Sequence, residues 1–269
     1  GHKVIFSVQS SVHHDMVWPY AVGCKGAKRT SGSVDLTSAE ATRCFISYTH
    51  ERYKEYIGAE FGTTVRGVFT DEPSHIVFRY MVSDSLLRAL DDKYGPYPER
   101  YLYLLFQEGE EATAFRHDYY KALSMLFKKN FIDIIADWCE NNNLLLTGHL
   151  NGEESLPYNI INGETLNVLK SFGVPGIDII VITHRMHWPD FNTLMATAQN
   201  LNHFSGKKRL LSETYTLSTW SLSMAYMRRL ASRLIMHGVN MIQFMGCHYS
   251  FSGAKTIHPG PDNGVHNVL

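Results

Sequence analysis

Short apolar, β-rich runs alternate with helical patterns along most of the chain. The runs begin near Lys3, Val65, Leu144, Gly176, Lys208 and Val239. This alternation predicts parallel βαβ units, because parallel neighbours in a sheet are joined by crossover connections. About six strands can be counted. The sequence therefore predicts an α/β fold of the (β/α)8 TIM-barrel class, incomplete at its N-terminus.

The beginning of the chain sets the expected domain organisation. Residue 3 already lies inside a β-rich run, so we expect residues 1–269 to be one barrel domain from a longer protein. With 269 residues, 44% of them hydrophobic, the chain is long enough to bury one large core. The net charge of −1 and the lack of a basic block give no electrostatic support for nucleic acid as a partner. No apolar run is long enough to span a bilayer, so we expect no membrane partner either.

Two of the predicted strands end in acidic residues. The run from Val65 is followed by Asp71, Glu72 and Pro73, and the run from Lys208 leads to Glu213. In a parallel barrel the carboxyl ends of the strands form the face that carries the chemistry. We therefore expect Glu72 and Glu213 to face each other across one cleft as a pair of catalytic carboxylates.

A pair of carboxylates in one cleft is typical of glycosidic bond cleavage. One group protonates the leaving oxygen, and the other attacks the sugar or activates a water. Glu72 is the candidate acid, because the adjacent Asp71 would raise its pKa if both were buried. Glu213 is the candidate base or nucleophile. The alternative is that Asp71 or Glu72 caps a helix or pairs with an arginine.

Other residues near the predicted strand ends could contact a sugar or a cation. His149 and His248 could hydrogen-bond to hydroxyls, and Asp71 is a further substrate-binding candidate. Glu153 and Glu154 offer the oxygen ligands that calcium prefers, although acids at a helix N-terminus would give the same pattern. The candidate stacking surfaces are the rings of Tyr215, Trp220 and Tyr249.

Two other functions remain open from the residues alone. The chain could be a non-catalytic carbohydrate-binding barrel, which would keep the aromatic residues without needing the two glutamates to converge. It could also be a metal-dependent hydrolase with zinc held by His149, His184 or His187. Against the second, no His-x-His or His-Glu-x-x-His motif occurs, since His50-Glu51 is followed by Arg, Tyr and Lys.

Several segments taken together resemble the alpha-L-rhamnosidase-like glycoside hydrolases of family 106. They are Phe69-Thr-Asp-Glu-Pro73, Trp138-Cys-Glu-Asn141 with Thr147-Gly-His149 and Glu153, Val174-Pro-Gly-Ile-Asp178, Leu211-Ser-Glu-Thr-Tyr215 and His248-Tyr-Ser-Phe-Ser-Gly253. The resemblance runs from about Asp35 to Pro261. Thr216 stands where the family would have a glycine after the tyrosine.

The resemblance carries expectations about function. It implies a glycosidase barrel inside a larger, multidomain protein, often secreted or periplasmic, that removes an L-rhamnose-type sugar from plant polysaccharides. It implies a calcium ion near the sugar and inversion at the anomeric carbon, with no organic cofactor. By position, it implies Glu72 as the acid, Glu213 as the base and Glu153 as a calcium ligand.

Overall fold

The computed structural model of the chain describes residues 35–73, 80–154, 163–180, 188–216 and 223–244. At its centre is a parallel sheet whose five strands lie side by side in chain order and curl into a half-barrel. The strands are β1 (Gly67–Thr70), β2 (Leu145–Gly148), β3 (Val174–Ile180), β4 (Leu211–Thr216) and β5 (Met241–Phe244). The predicted parallel α/β class is therefore confirmed, with five of the predicted strands. The run from Lys3 lies outside the described residues.

Helices precede the first strand and connect the others. They are α1 (Ala39–Tyr48), α2 (His50–Ile57), α3 (Asp84–Tyr94), α4 (Glu110–Phe127), α5 (Asp133–Asn141), α6 (Thr165–Leu169), α7 (Trp188–Phe204) and α8 (Met224–Met236). Short 3-10 segments cover Gly58–Glu60 and Pro98–Phe106. Serine side chains cap α1, α3 and α8, which is the usual way to satisfy the free N–H groups of a first turn. No helix in the described ranges combines the length and the apolar character needed to cross a membrane.

Helices α4 and α5 are joined by one π-helical turn, Lys128–Ile132. Along α4, this turn and α5, a series of seven buried residues recurs every four positions, at 115, 119, 123, 127, 131, 135 and 139. A four-residue repeat drifts around an ordinary α-helix of 3.6 residues per turn. The wider π turn partly corrects that drift and keeps Phe127 and Phe131 in the same core as Ile135 and Cys139. The spacing of apolar residues predicts one uninterrupted helix from about Ala112 to Asn141 and does not predict this turn.

The buried apolar side chains form two clusters. The larger lies between the sheet and its covering helices, and includes Phe127, Leu146, Ile177 and Leu230. The smaller joins α3, the Pro98–Phe106 segment and the first half of α4, all inserted between β1 and β2. The long helix α4 contributes to both clusters. It therefore ties the insertion to the half-barrel that carries the strand ends.

Two other local features differ from the sequence-based expectation. Residues at helical spacing in the sequence predict one helix from about Asp35 to Gly58 or Gly62, but the helix is interrupted at Thr49. There the Thr49 hydroxyl lies 2.7 Å from the Phe45 carbonyl oxygen and 2.8 Å from Nδ1 of His50. Threonine side chains compete in this way with the regular backbone ladder of a helix. The 3-10 segment at Pro98–Phe106 was not predicted, because its one proline and two tyrosines follow no helical period.

Candidate active site

The register of the sheet brings the ends of the strands to one edge. Thr70 pairs with Gly148 across β1 and β2, so the residues that follow these two strands are neighbours. Asp178 on β3 pairs with Glu213 on β4, which in turn pairs with Gln243 on β5. Paired residues of a parallel ladder point to the same face of the sheet. Along the edge, in strand order, lie Asp71 and Glu72, His149, Asp178, Glu213 and Gln243.

Unusual backbone conformations shape the ends of β1 and β2. Gly148 has a φ of 128°, and a β-carbon there would come within 2.0 Å of the Thr70 carbonyl oxygen. Only glycine allows this close approach, and it positions His149 directly after it. Glu72 has a φ of 46°, which is rare for a residue other than glycine. Such backbone strain is concentrated at functional sites.

His149 is the centre of the site. Its side chain is fully buried, and its Nε2 lies 3.0 Å from Oε2 of Glu213 and 3.5 Å from Oδ1 of Asp71. Nδ1 lies 3.4 Å from the Leu150 carbonyl oxygen, which can only accept a hydrogen bond. The ring also contacts Phe69 edge-on, with centroids 5.6 Å apart. The expectation that His149 would bind sugar hydroxyls is untested, but its nitrogens already face protein oxygens.

The charges around His149 favour its protonated form. Burial alone would lower its pKa, but the hydrogen bond to Glu213 and the charges of Glu153, Asp178 and Glu213 outweigh burial and raise the pKa to about 10. At neutral pH the Nε2–H group therefore donates to the Glu213 carboxylate. Glu213 itself is buried, with 6% of its surface exposed. The two form an ion pair inside the site.

Glu72 lies within the electrostatic reach of the same group. Burial raises its pKa, the positive charge of His149 lowers it, and repulsion from Asp71, Glu154 and Glu213 raises it further, with a net increase. A raised pKa suits a proton donor. The sequence predicted repulsion by Asp71 as the cause of the raised pKa of Glu72, but the larger cause is burial. A carboxylate oxygen of Asp71, whose side chain is 73% exposed, lies within 4.8 Å of one of Glu213.

Two further residues of this edge were not singled out from the sequence. Asp178 is a charged residue inside the apolar β3 run, and Gln243 is a polar residue inside the apolar β5 run. The register places both beside Glu213 on the same face. A polar side chain in an otherwise apolar strand was the signal that could have identified them.

The acids proposed as calcium ligands lie at the loop after β2. Glu153 is buried, and its Oε1 accepts a hydrogen bond from the Leu150 backbone N–H. Burial raises its pKa to about 8, against the lowering effect of His149 and of backbone hydrogen bonds. Glu154 is half-buried. The bonds to the backbone give Glu153 a role in holding the loop, and this role does not require an ion.

Tyr215 is placed in the hydrophobic core. Only 2% of its surface is exposed, and its hydroxyl donates to the Met227 carbonyl oxygen at 2.9 Å. Its φ of 70° coincides with a bulge in the β3–β4 register, which turns the side chain away from the regular alternation. The ring is therefore not available as a stacking surface in this structure. The other proposed contacts, Trp220, His248 and Tyr249, lie outside the described residues, as do His184 and His187.

We expect Tyr215→Phe to lower stability and leave catalysis nearly unchanged. The substitution removes the hydroxyl donor to Met227, which costs about 1 kcal/mol of unfolding free energy. Urea unfolding and any activity assay of the variant would measure the two effects. Tyr48→Phe, at a 77% exposed tyrosine, is the matched control and should change neither. A large rise in KM for Tyr215→Phe with unchanged stability would instead indicate a substrate contact.

Three side chains of the site could also hold a metal ion. One ligand atom each from Asp71, His149 and Glu213 lies within 4.8 Å of the others. Two carboxylates and one imidazole are a donor set that suits zinc and related ions. An ion bound there would have to replace the Nε2 proton that His149 now shares with Glu213. Glu153 and Glu154 are not members of this group.

Comparison with known proteins identifies a fold but no family. No protein-family model matches the chain, and no curated protein matches it. Among solved structures, the chain is similar to a rhamnosidase from Novosphingobium sp. PP1Y, with a TM-score of 0.62 and 19% identity. The match covers 80% of this chain and 21% of that one. The described half-barrel is therefore folded like about one fifth of a rhamnosidase.

Proposed function

We propose that the chain is a glycoside hydrolase domain that uses Glu72 and Glu213 as its catalytic carboxylates. The observation that carries the proposal is the cluster of carboxyl groups at one edge of the parallel sheet. Asp71 and Glu72 follow β1, and Glu213, buried within β4, is paired to His149 at 3.0 Å. Strand ends are where barrel enzymes place their chemistry. The likeness of fold to part of a rhamnosidase supports the proposal of a glycosidase.

The surroundings of the two glutamates favour different roles. Glu72 has a raised pKa, mainly from burial, and can keep the proton that a leaving glycosidic oxygen needs. Glu213 forms an ion pair with the buried imidazolium of His149, whose Nε2 lies 3.0 Å from its Oε2. An ionised carboxylate can activate water or attack the anomeric carbon. We therefore propose Glu72 as the acid and Glu213 as the base or nucleophile.

An L-rhamnose-type terminal sugar is the first substrate to test, and inversion is the expected outcome. The support for this sugar is the similarity of fold to a rhamnosidase. Because fold does not fix the substrate of barrel enzymes, the assay should cover a panel of aryl glycosides that includes the α-L-rhamnoside. Proton NMR of the first product anomer reports the stereochemistry.

The leaving group provides a direct test of Glu72. In Glu72→Gln we expect hydrolysis of a glycoside with an alkyl or sugar leaving group to fall about 10²–10⁴-fold. Hydrolysis of a nitrophenyl glycoside by Glu72→Gln should fall far less, because nitrophenolate is a stable anion that leaves without being protonated. Steady-state kcat/KM with both substrates measures the difference.

Controls make the outcome specific. Glu140→Gln, the same change at an exposed position on α5, should behave like the unmodified protein. Equal losses on both substrates in Glu72→Gln would remove Glu72 as the acid. Lack of hydrolysis of every glycoside by the unmodified protein would reject the proposed function and favour a non-catalytic carbohydrate-binding domain.

A second candidate, metal-dependent hydrolysis, is supported by the convergence of Asp71, His149 and Glu213 within 4.8 Å. Elemental analysis and activity after chelation distinguish it from the first. Stoichiometric zinc, with activity that is lost on chelation and restored by zinc, would favour this candidate.

Calcium is a separate proposal. Calcium takes six to eight oxygen ligands, and the Glu153 carboxyl is already hydrogen-bonded to the backbone of its own loop. Glu153 and Glu154 alone do not fit such a site, so no step of the proposed reaction depends on a calcium ion. A melting temperature unchanged by chelation would agree with this view.

A further inference from the structure

Asp178 faces the same side of the sheet as Glu213. The two residues are paired in the β3–β4 register, and paired residues of a parallel ladder share a face. The flanking Ile177 and Ile179 are fully buried in the main hydrophobic core, on the opposite face of β3. The carboxyl group of Asp178 therefore points toward the candidate active site.

This carboxyl group is buried but incompletely bonded. Only 6% of Asp178 is exposed, and within the described part of the chain its Oδ1 has no hydrogen-bond partner. A buried polar atom without a partner is costly, and native structures rarely retain one without a functional reason. His149, Glu153 and Glu213 are close enough to act on Asp178 through their charges. None of them bonds to Oδ1.

The chemistry of the proposed substrate supplies what Oδ1 lacks. A sugar ring carries several hydroxyl groups, each of which can donate one hydrogen bond. A ring that reaches Glu213 would bring its hydroxyls toward the next strand, where Asp178 lies.

We propose that Asp178 is a substrate-binding residue whose Oδ1 accepts a hydrogen bond from a hydroxyl of the sugar bound at Glu213. This inference rests on the proposed glycosidase function, and it adds a specificity residue to that site. Asp178 fixes the orientation of the sugar and does not take part in proton transfer at the glycosidic oxygen.

The test combines a variant with altered substrates. Asp178→Leu replaces the carboxyl group with an apolar group of similar shape and removes the acceptor. We expect kcat/KM to fall about 10–100-fold. The melting temperature should rise by roughly 3–6 °C, because an unpaired buried carboxyl group is lost. A residue with a purely structural role would show the opposite change in melting temperature.

Monodeoxy aryl glycosides then identify the hydroxyl. With the unmodified protein, removing one particular hydroxyl from the sugar should lower kcat/KM by about the same factor as Asp178→Leu lowers it for the parent sugar. With Asp178→Leu, the kcat/KM for that deoxy compound should be little lower than the kcat/KM for the parent sugar, because the two changes remove the same hydrogen bond. Asp137→Leu, at an exposed position on α5, is the matched control and should not change the pattern.

Three results would overturn the inference. In the first, the loss of kcat/KM from Asp178→Leu multiplies the loss from the missing hydroxyl for every deoxy compound. In the second, Asp178→Leu hydrolyses the parent sugar as fast as the unmodified protein. The third is loss of a bound metal ion with activity restored by added calcium, which would make Asp178 an ion ligand. In the first two cases the glycosidase proposal stands. Absence of hydrolysis by the unmodified protein rejects that proposal and this inference together.

Discussion

Glu213→Gln should reduce hydrolysis by about 10³–10⁴-fold on activated and unactivated glycosides alike. Activation of water or attack on the sugar is needed whatever the leaving group, so a better leaving group does not rescue the loss. The amide keeps an oxygen that can accept the Nε2–H bond of His149, now 3.0 Å from the carboxylate. We therefore expect the variant to fold. Single-substrate kinetics with both leaving groups measures the effect.

The contrast with Glu72→Gln makes this result informative. A loss of activity that depends on the leaving group in Glu72→Gln would identify Glu72 as the acid. A loss that is the same for both leaving groups in Glu213→Gln would identify Glu213 as the base or nucleophile. Circular dichroism must show that Glu213→Gln is folded, and Glu140→Gln controls for the change from glutamate to glutamine. Activity of a folded Glu213→Gln within tenfold of the unmodified protein, as a rough limit, would exclude Glu213 from the mechanism.

His149→Phe should lower the free energy of unfolding by about 3–5 kcal/mol. The phenyl ring fills the buried space but leaves Glu213, which is 6% exposed, without its charged partner. An uncompensated buried charge is one of the largest single costs in a folded protein. Urea unfolding at neutral pH measures the loss. His117→Phe, at a histidine whose side chain is 72% exposed, is the matched control and should change stability little.

The same ion pair predicts how stability depends on pH. The folded pKa of His149, about 10, lies above its ordinary value of 6.5. Its stabilising contribution is therefore complete below pH 6.5 and is lost as the pH rises through 10. Asp178 and Glu153 have pKa values raised to about 8, chiefly by burial, so their contribution to stability is present at acidic pH and is lost as the pH rises to about 8. The unfolding free energy of the unmodified protein should fall between pH 6.5 and pH 10. The decrease should be smaller in His149→Phe.

A bound metal ion would give a different pH dependence. An ion held by Asp71, His149 and Glu213 requires neutral histidine, so binding and the stability it adds would weaken toward acidic pH. Stability that rises from pH 6.5 to 9 in the metal-loaded protein would contradict the buried imidazolium.

Local patterns in the sequence determined the α/β class, five parallel strands and the positions of Asp71 and Glu72 directly after β1, whereas Glu213, expected just after a strand, lies inside β4. Apolar runs, and the breaks that follow them such as Pro73, are formed by residues adjacent in the chain, so they can be recognised from the sequence directly. The partners of those acids were not predictable. The pairing of His149 with Glu213 joins residues 64 positions apart, and it follows from strand register, which is set by packing of the whole sheet.

Tertiary structure alone also decided which polar and aromatic residues face the site. Tyr215 and Glu213 lie two positions apart, and simple alternation would place both on one face. The bulge in β4 reverses that expectation and buries Tyr215 under Met227. Asp178, in turn, looked like part of an apolar strand until its register with Glu213 was known. The sequence indicates where the strands lie, but the direction of each side chain depends on contacts with strands and helices distant along the chain.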